Sequence, residues 1–277
     1  MLVFPNCKIN LGLHVLNKRQ DGYHSIETVF YPVNWCDALE VIENKKNKTP
    51  FTWSQTGIEI PGEIENNLIY KAWKLITEHK KIPPIAVHLH KTIPMGAGLG
   101  GGSSDAAHFI ELLDKKYTLQ LDYSLKLHIA SQLGSDCAFF LRNNPVFAEE
   151  KGDQFSTIQL DLSQYYILVV YPNIHSNTKE AYDGLIPKIP KHPLKQIITT
   201  QPLANWKNTL SNDFEVSIFK NYPKINLLKE HMYASGAIYS SLSGSGSSVF
   251  GIFKEQPVIS FPKDYSFYLQ KPEIKIL

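Results

Sequence analysis

The sequence predicts an α+β protein, and three observations carry that prediction. Segments of strand composition and segments with helical spacing of apolar residues are interspersed along the chain. They do not follow the regular strand–helix–strand alternation of a doubly wound sheet. The chain has 277 residues, 43% hydrophobic and 19% charged, enough for one large or two medium cores.

The elements follow in order. Residues 2–16 are rich in Val, Ile and Leu and partly alternate, which predicts a strand. Asp21-Gly22 marks a turn. Residues 25–33 and 38–42 are strand-like, so an antiparallel hairpin or meander is expected. Residues 67–79 carry Leu68, Ala72 and Ile76 at helical spacing, with Pro83-Pro84 after them as a stop. Residues 85–90 form a short strand. Residues 103–113 form a helix with Ser103 or Ser104 near its N-cap, and residues 124–133 a second one. Around residues 149–153 (EEKGD) the composition turns polar and a second half begins. There, residues 165–171 predict a strand, and residues 178–185, 212–219 and 226–234 helices. Residues 237–241 and 248–253 predict two strands around the small-residue loop Ser243-Gly244-Ser245-Gly246.

Composition excludes several classes. Lys plus Arg number 28 and Asp plus Glu 26, and no long basic run stands out, so electrostatics favour neither nucleic acid nor a membrane surface. Cys7, Cys36 and Cys137 are odd in number and far apart, which fits a reducing compartment and neither a disulfide framework nor a metal site. The first residues lack the pattern of a signal peptide, and no apolar run approaches the ~18 residues of a membrane span. A cytoplasmic protein is expected.

The strongest local signal is Pro94-Met95-Gly96-Ala97-Gly98-Leu99-Gly100-Gly101-Gly102-Ser103-Ser104-Asp105, five glycines within seven positions between a strand and a helix. Bare backbone lets successive amides point inward, and the helix N-terminus adds partial positive charge, so the run predicts a phosphate cradle. It lacks the lysine of a Walker A loop, and neither HRD nor DFG occurs in the chain. Gly96 to Gly101 matches GxGxxG literally, but without an acidic residue ending a second strand.

Pro94, Gly98, Leu99, Gly100, Ser103 and Ser104 resemble the phosphate loop of the GHMP kinase superfamily. An early strand with Lys8 and Asn10 and a late loop, Ser243 to Gly246, occur in the superfamily's order. Asp21-Gly22-Tyr23-His24, Asn67-Leu68-Ile69, Gly134-Ser135-Asp136 and Asn212-Asp213-Phe214-Glu215 extend the likeness from Pro5 to about Phe253. Asn6-Cys7 departs from the usual Pro-Ala, and residues 261–277 match nothing in the pattern.

The resemblance implies a two-domain architecture. Residues 1–150 would form a ribosomal S5 domain 2-like, ATP-binding domain, and residues 151–277 a ferredoxin-like one. It implies an ATP-dependent kinase of non-mevalonate isoprenoid synthesis whose small-molecule acceptor carries a cytidine diphosphate group. Rival readings are a kinase or related decarboxylase for a sugar, homoserine or mevalonate derivative, and a non-catalytic nucleotide-binding relative.

Site residues follow by position. On pattern alone Lys8 and Asn10 share one strand face that is either solvent-facing or lines a site. The resemblance puts Lys8 near the transferred phosphate, with Asn10 on the substrate side. Asp136, otherwise a turn residue, would be the general base. Tyr23 and Tyr182 would sandwich the cytosine while His24 reads its edge; unaided, the first pair reads as surface and Tyr182 as core. Residues 94–104 would bind the ATP phosphates, and Asn67 and Lys91 the adenine side. Ser243, Gly244, Ser245 and Gly246 would contact substrate. No cluster has metal-ligand spacing, so Mg²⁺ is expected to arrive with ATP, and Ser103 and Ser104 would donate to phosphate or coordinate the ion. The chain is expected to act as a monomer or weak homodimer, without nucleic acid or membrane.

Overall fold

The computed structural model describes residues 1–45 and 49–273. In chain order the described strands are β1 (Leu2–Val3), β2 (Asn6–Lys18), β3 (His24–Cys36), β4 (Ala38–Glu43), β5 (Phe51–Gly57), β6 (Ile85–Lys91), β7 (Val146–Glu149), β8 (Gln154–Thr157), β9 (Tyr166–Tyr171), β10 (Tyr239–Leu242), β11 (Val249–Phe253) and β12 (Ser266–Gln270). The α-helices are α1 (Leu68–His79), α2 (Gly101–Tyr117), α3 (Tyr123–Leu133), α4 (Cys137–Arg142), α5 (Thr178–Tyr182), α6 (Leu194–Thr200), α7 (Trp206–Thr209), α8 (Glu215–Asn221) and α9 (Pro223–Ala234). The α+β class expected from the sequence holds. No helix among the described residues is long and apolar enough to cross a membrane.

Two compact units form, each from non-consecutive stretches. One comprises Met1–Cys7, Asn34–Pro94 and Gly100–Asn144; the other Lys8–Val33, Met95–Leu99 and Pro145–Leu277, as far as the chain is described. In the first unit a sheet runs β1-β4-β6-β5, with β5 parallel to β6 and the other pairs antiparallel. Helix α2 packs on α1, α3 and α4 and touches β4. Its buried face, Ala106, Phe109, Ile110 and Leu113, has the spacing of a core-facing stripe.

The second unit carries the antiparallel sheet β10-β11-β9-β12, and β2-β3-β7-β8 lies largely within it. Leu13, Val170, Phe214, Ile218, Met232, Leu242 and Val249 belong to one buried cluster there. At ~25 cal/mol per Å² of apolar surface removed from water, such side chains are the main favourable contribution to folding.

Several expectations need correction. Of the expected hairpin or meander only the first pair forms: β3 neighbours β2, whereas β4 joins β1 and β6 in another sheet. Helix α2 starts at Gly101, two residues earlier than expected. Its N-cap is Gly100, left-handed at φ 68°, whose carbonyl accepts from Ser104 N at 2.9 Å. Ser103 and Ser104 therefore lie in the first turn and are not caps. Helix α8 starts at Glu215, because Asn212 is spent on a turn, its Oδ1 accepting from Phe214 N at 3.0 Å. Helix α9 starts at Pro223, whose fixed φ suits a first helical position. Helix α5 ends at Tyr182. The polar EEKGD stretch turns the β7–β8 hairpin, using Glu150 and Gly152 at positive φ.

Candidate active site

The glycine run is held in two parts. Residues Met95–Leu99 belong to the second unit, where main-chain and lysine contacts fix them. Lys8 N donates to Leu99 O at 3.0 Å and Ser248 N to Ala97 O at 3.1 Å. The carbonyl of Gly98 accepts from Ser243 Oγ at 2.9 Å and from Lys8 Nζ at 3.1 Å. Gly98 has φ +77°, and a Cβ there would lie 1.9 Å from Ser243 O. Gly96, at φ +62°, would meet the His175 ring at 2.7 Å. These two glycines are thus required by the protein's own packing.

Lys8 and Asn10 are both buried, at 4% and 2% exposure, which removes the solvent-facing alternative. Lys8 Nζ donates to Asn10 Oδ1 at 2.7 Å, and Asn10 Nδ2 to Thr28 Oγ1 at 3.0 Å. Thr28 Oγ1 passes the chain on to Gly12 O at 2.5 Å. The ammonium also stands 4.9 Å from the Phe30 ring centre. Buried polar groups need partners, and on this enclosed face of β2 Lys8 and Asn10 supply them to each other.

The late loop supports residues 97–98. Ser243, Gly244 and Gly246 are buried, and Asn212 Nδ2 donates to Leu242 O and Gly244 O at 2.9 and 2.8 Å. Ser245, half-buried, accepts at its carbonyl from Ser176 Oγ at 3.1 Å.

The second part of the run, from Gly100, belongs to the first unit. Lys91 is buried between two carboxylates, 2.5 Å from Asp37 Oδ2 and 2.7 Å from Asp105 Oδ2. Burial pushes the Asp105 carboxyl up to about 7, against the pull of the Lys91 ammonium. The Lys91 ammonium is thereby engaged within the protein. Asn67 caps α1, accepting from Ile69 N at 2.8 Å, and lines an open cavity of about 510 Å³ with Trp53, Ile60 and Glu63. Ser104 is buried, its Oγ 3.2 Å from His108 Nδ1. Ser103 is half-buried, and burial pushes the Cys137 thiol up to about 11. Asp136, the residue before Cys137, is the half-buried N-cap of α4.

Two of the three residues expected around the cytosine stack on each other. His24 stacks directly on Tyr182, ring centres 4.4 Å apart and planes 18° from parallel. Phe214 meets Tyr182 edge-on at 4.8 Å. Tyr23 is 62% exposed, with the Lys151 ammonium 5.2 Å from its ring centre. Burial, then Lys18, lowers the His24 pKa, which favours the neutral ring suited to both accepting and donating hydrogen bonds.

Two family models match the chain: the GHMP kinases N terminal domain over residues 67–144 and the GHMP kinases C terminal region over residues 199–261. A 4-diphosphocytidyl-2-C-methyl-D-erythritol kinase of Bacteroides fragilis is 47% identical over 260 residues, 94% of each chain. The chain belongs to the GHMP kinase family. The enzyme of the same name from Cytophaga hutchinsonii is 51% identical over 258 residues, covering 93% of this GHMP kinase and 94% of the relative. A crystal structure of 4-(cytidine 5′-diphospho)-2C-methyl-D-erythritol kinase superposes with a TM-score of 0.77 at 30% identity, covering 91% and 90% of the two chains. A homoserine kinase from Cytophaga hutchinsonii, 17% identical with a TM-score of 0.67, shares the fold.

Asp37, Asp105, Thr28 and His175 join this GHMP kinase's loop architecture without having been singled out by the sequence. Asp105 had a usable signal. It lies four and eight residues before Phe109 and Leu113 on the apolar stripe of α2, so helical spacing alone places it on the buried face. The other three offer no such spacing, since their partners are remote in the chain.

Proposed function

We propose that this GHMP kinase transfers the γ-phosphoryl group of ATP to the 2-hydroxyl of 4-diphosphocytidyl-2-C-methyl-D-erythritol, giving the 2-phosphate and ADP. The observation that carries the reading is the likeness to relatives bearing that kinase name, 44–51% identical over more than nine-tenths of the chain.

The residue roles are proposed one by one. Residues 94–104 receive the ATP phosphates, supported by the 17-residue helix α2, whose N-terminus opens at Gly100-Gly101. Lys8, held by Asn10 and Gly98 O, balances charge on the phosphoryl group in transfer. Asp136, half-buried at the start of α4, takes the proton of the attacking hydroxyl. Asn67 serves the adenine side from the wall of its cavity; Lys91, expected there too, is buried with its ammonium on Asp37 and Asp105, and acts through those groups instead. Tyr23, His24 and Tyr182 receive the cytosine. Because His24 covers one face of Tyr182, a base stacking on that face has to displace the histidine ring.

Mg²⁺ comes with ATP. Among the described residues no group of three or more His, Cys, Asp or Glu side chains is placed to hold a metal ion. Ser103, half-buried in the first turn of α2, is the hydroxyl that fits a nucleotide-borne ion; the Ser104 hydroxyl lies against His108. Such an ion would neutralise phosphate charge during transfer. The enzyme works in the cytoplasm on small molecules, as a monomer or weak homodimer.

The test is a phosphorylation assay with ATP and a panel of alcohols: the cytidine diphosphate-bearing polyol, the same polyol without that group, homoserine, mevalonate and a sugar. Turnover of the first alone is expected. Comparable turnover of homoserine or mevalonate would overturn the substrate assignment.

A further inference from the structure

Lys91 belongs to a buried charge cluster that takes no direct part in the proposed chemistry. Asp37, Lys91 and Asp105 are each at most 3% exposed. Burying charges is costly, and apolar side chains of similar volume often serve stability as well or better. What the cluster adds is geometry. Asp37 Oδ1 accepts from Thr92 N at 2.6 Å and Ile93 N at 2.9 Å, the last two amides before Pro94. Its Oδ2 accepts from Lys91 Nζ at 2.5 Å. Lys91 Nζ also donates to Asp105 Oδ2 at 2.7 Å, in the opening turns of α2.

The glycine run lies between these two anchor points. One carboxylate and one ammonium therefore join the strand that enters the run to the helix that leaves it. Gly101 is fitted to the same cluster: a Cβ there would stand 2.9 Å from Ile93 Cγ2 and 3.1 Å from Lys91 Nζ. Thr92 Oγ1, donating to Cys36 O at 2.6 Å, locks the neighbouring backbone of Asp37 to the same turn.

We propose that Asp37 is a positioning residue for the ATP phosphates, acting through Lys91, Thr92 and Ile93 to set how the first turn of α2 is presented. The proposal deepens the kinase reading and rests on it. Asp37 has no direct part in holding phosphate; it fixes residues 91–93, from which the phosphate-binding run starts.

Three variants test this: Asp37→Ala, Asp37→Asn and Asp105→Asn. ATP affinity is read by calorimetry, KM for ATP and for the acceptor by steady-state kinetics, and amide exchange over residues 91–105 without nucleotide. Misplacement of a positioned group can cost ~10²-fold, so Asp37→Ala should weaken ATP binding roughly 10- to 100-fold. The acceptor KM should stay within about twofold of the wild type. Asp37→Asn keeps an oxygen for Thr92 and Ile93 N and should recover part of the loss, with Asp105→Asn intermediate. Exchange over residues 91–105 should quicken in Asp37→Ala.

Folded Asp37 variants with unchanged ATP affinity would overturn the proposal. So would an equal loss toward both substrates, which marks a merely structural residue. If the wild type binds no ATP, the kinase reading fails instead, and the nucleotide-free exchange still reports whether Asp37 holds the run: unchanged exchange overturns that too.

Discussion

Residues 95–99 and residues 100–105 are adjacent parts of one glycine-rich run, yet different forces hold them. The first part is fixed by neutral main-chain contacts and one lysine: Leu99 O to Lys8 N, Ala97 O to Ser248 N, and Gly98 O to Ser243 Oγ and Lys8 Nζ. Its glycines are there because neighbours come too close for a side chain. The second part is fixed by a buried ion cluster, and its glycines serve the start of a helix. The difference teaches that a glycine-rich loop is not uniformly a ligand cradle. Gly96 and Gly98 answer to the protein's interior; Gly102, exposed and with only Leu68 Cδ1 4.0 Å from a would-be Cβ, answers to what lies outside.

This division of labour breaks first if either part also performs the chemistry. Asp105, the one carboxylate between Pro94 and Ala107, is buried and engaged with Lys91, so the base is expected elsewhere. Asp136→Asn should lower kcat by ~10²–10⁴-fold, the usual worth of a general base. ATP affinity and melting temperature should stay near wild type, because the interaction strengthens only as the hydroxyl loses its proton. Single-turnover transfer beside thermal melts separates this from a turn residue, which would lower stability and leave the rate per folded molecule intact. A full single-turnover rate in folded Asp136→Asn ends the assignment.

The next largest effect belongs to the first part of the run. Gly98→Ala forces a side chain into a left-handed conformation, costing ~1–2 kcal/mol, and drives its Cβ into the Ser243 carbonyl. With overpacking of ~1–3 kcal/mol added, a total loss of about 3 kcal/mol is expected, visible in denaturant unfolding without any ligand. A Gly98→Ala protein of wild-type stability would show that the 243–248 loop yields readily, and the contrast between the two parts would lose its basis.

The two parts also differ in how far they could be read from the chain. The run itself, its strand before and helix after, and the late Ser243-Gly246 loop are all visible as local composition. So is the α+β class, because 3.6-residue periodicity in α1 and α2 is strong. The boundaries failed where one residue's geometry decided them. Gly100 adopts a left-handed cap that serine-based capping rules do not anticipate, and Asn212 turns the chain with its own side chain before α8. Strand β5 carries polar and apolar residues without clean alternation, and β12 pairs with β9 from nearly 100 residues away, so neither announces itself. The ion cluster was hidden for the same reason: Asp37 and Lys91 are 54 positions apart, and no local pattern pairs them. The His24–Tyr182 stack joins positions on separate elements and likewise depends on tertiary placement.

The smallest effect is the most discriminating. Gly100 is a poor place to probe the cradle, because its φ of 68° would strain any side chain whether or not phosphate binds there. Gly102 lies inside helix α2, without positive φ, exposed and without close neighbours. Alanine there should stabilise the free protein by ~0.5–1 kcal/mol, since glycine in a helix is worse than alanine by about that much. If phosphate rests on the first turn of α2, the added methyl group intrudes on it, and ATP affinity should fall several-fold, equivalent to about 1 kcal/mol. Stability and affinity then move in opposite directions in one variant, which neither simple destabilisation nor simple helix propensity produces. Thermal melts and calorimetric ATP titration of Gly102→Ala read both signs. A variant that is more stable and binds ATP as well as the wild type would show that the phosphates do not lie against Gly102, leaving the exposed glycine without a ligand-based reason.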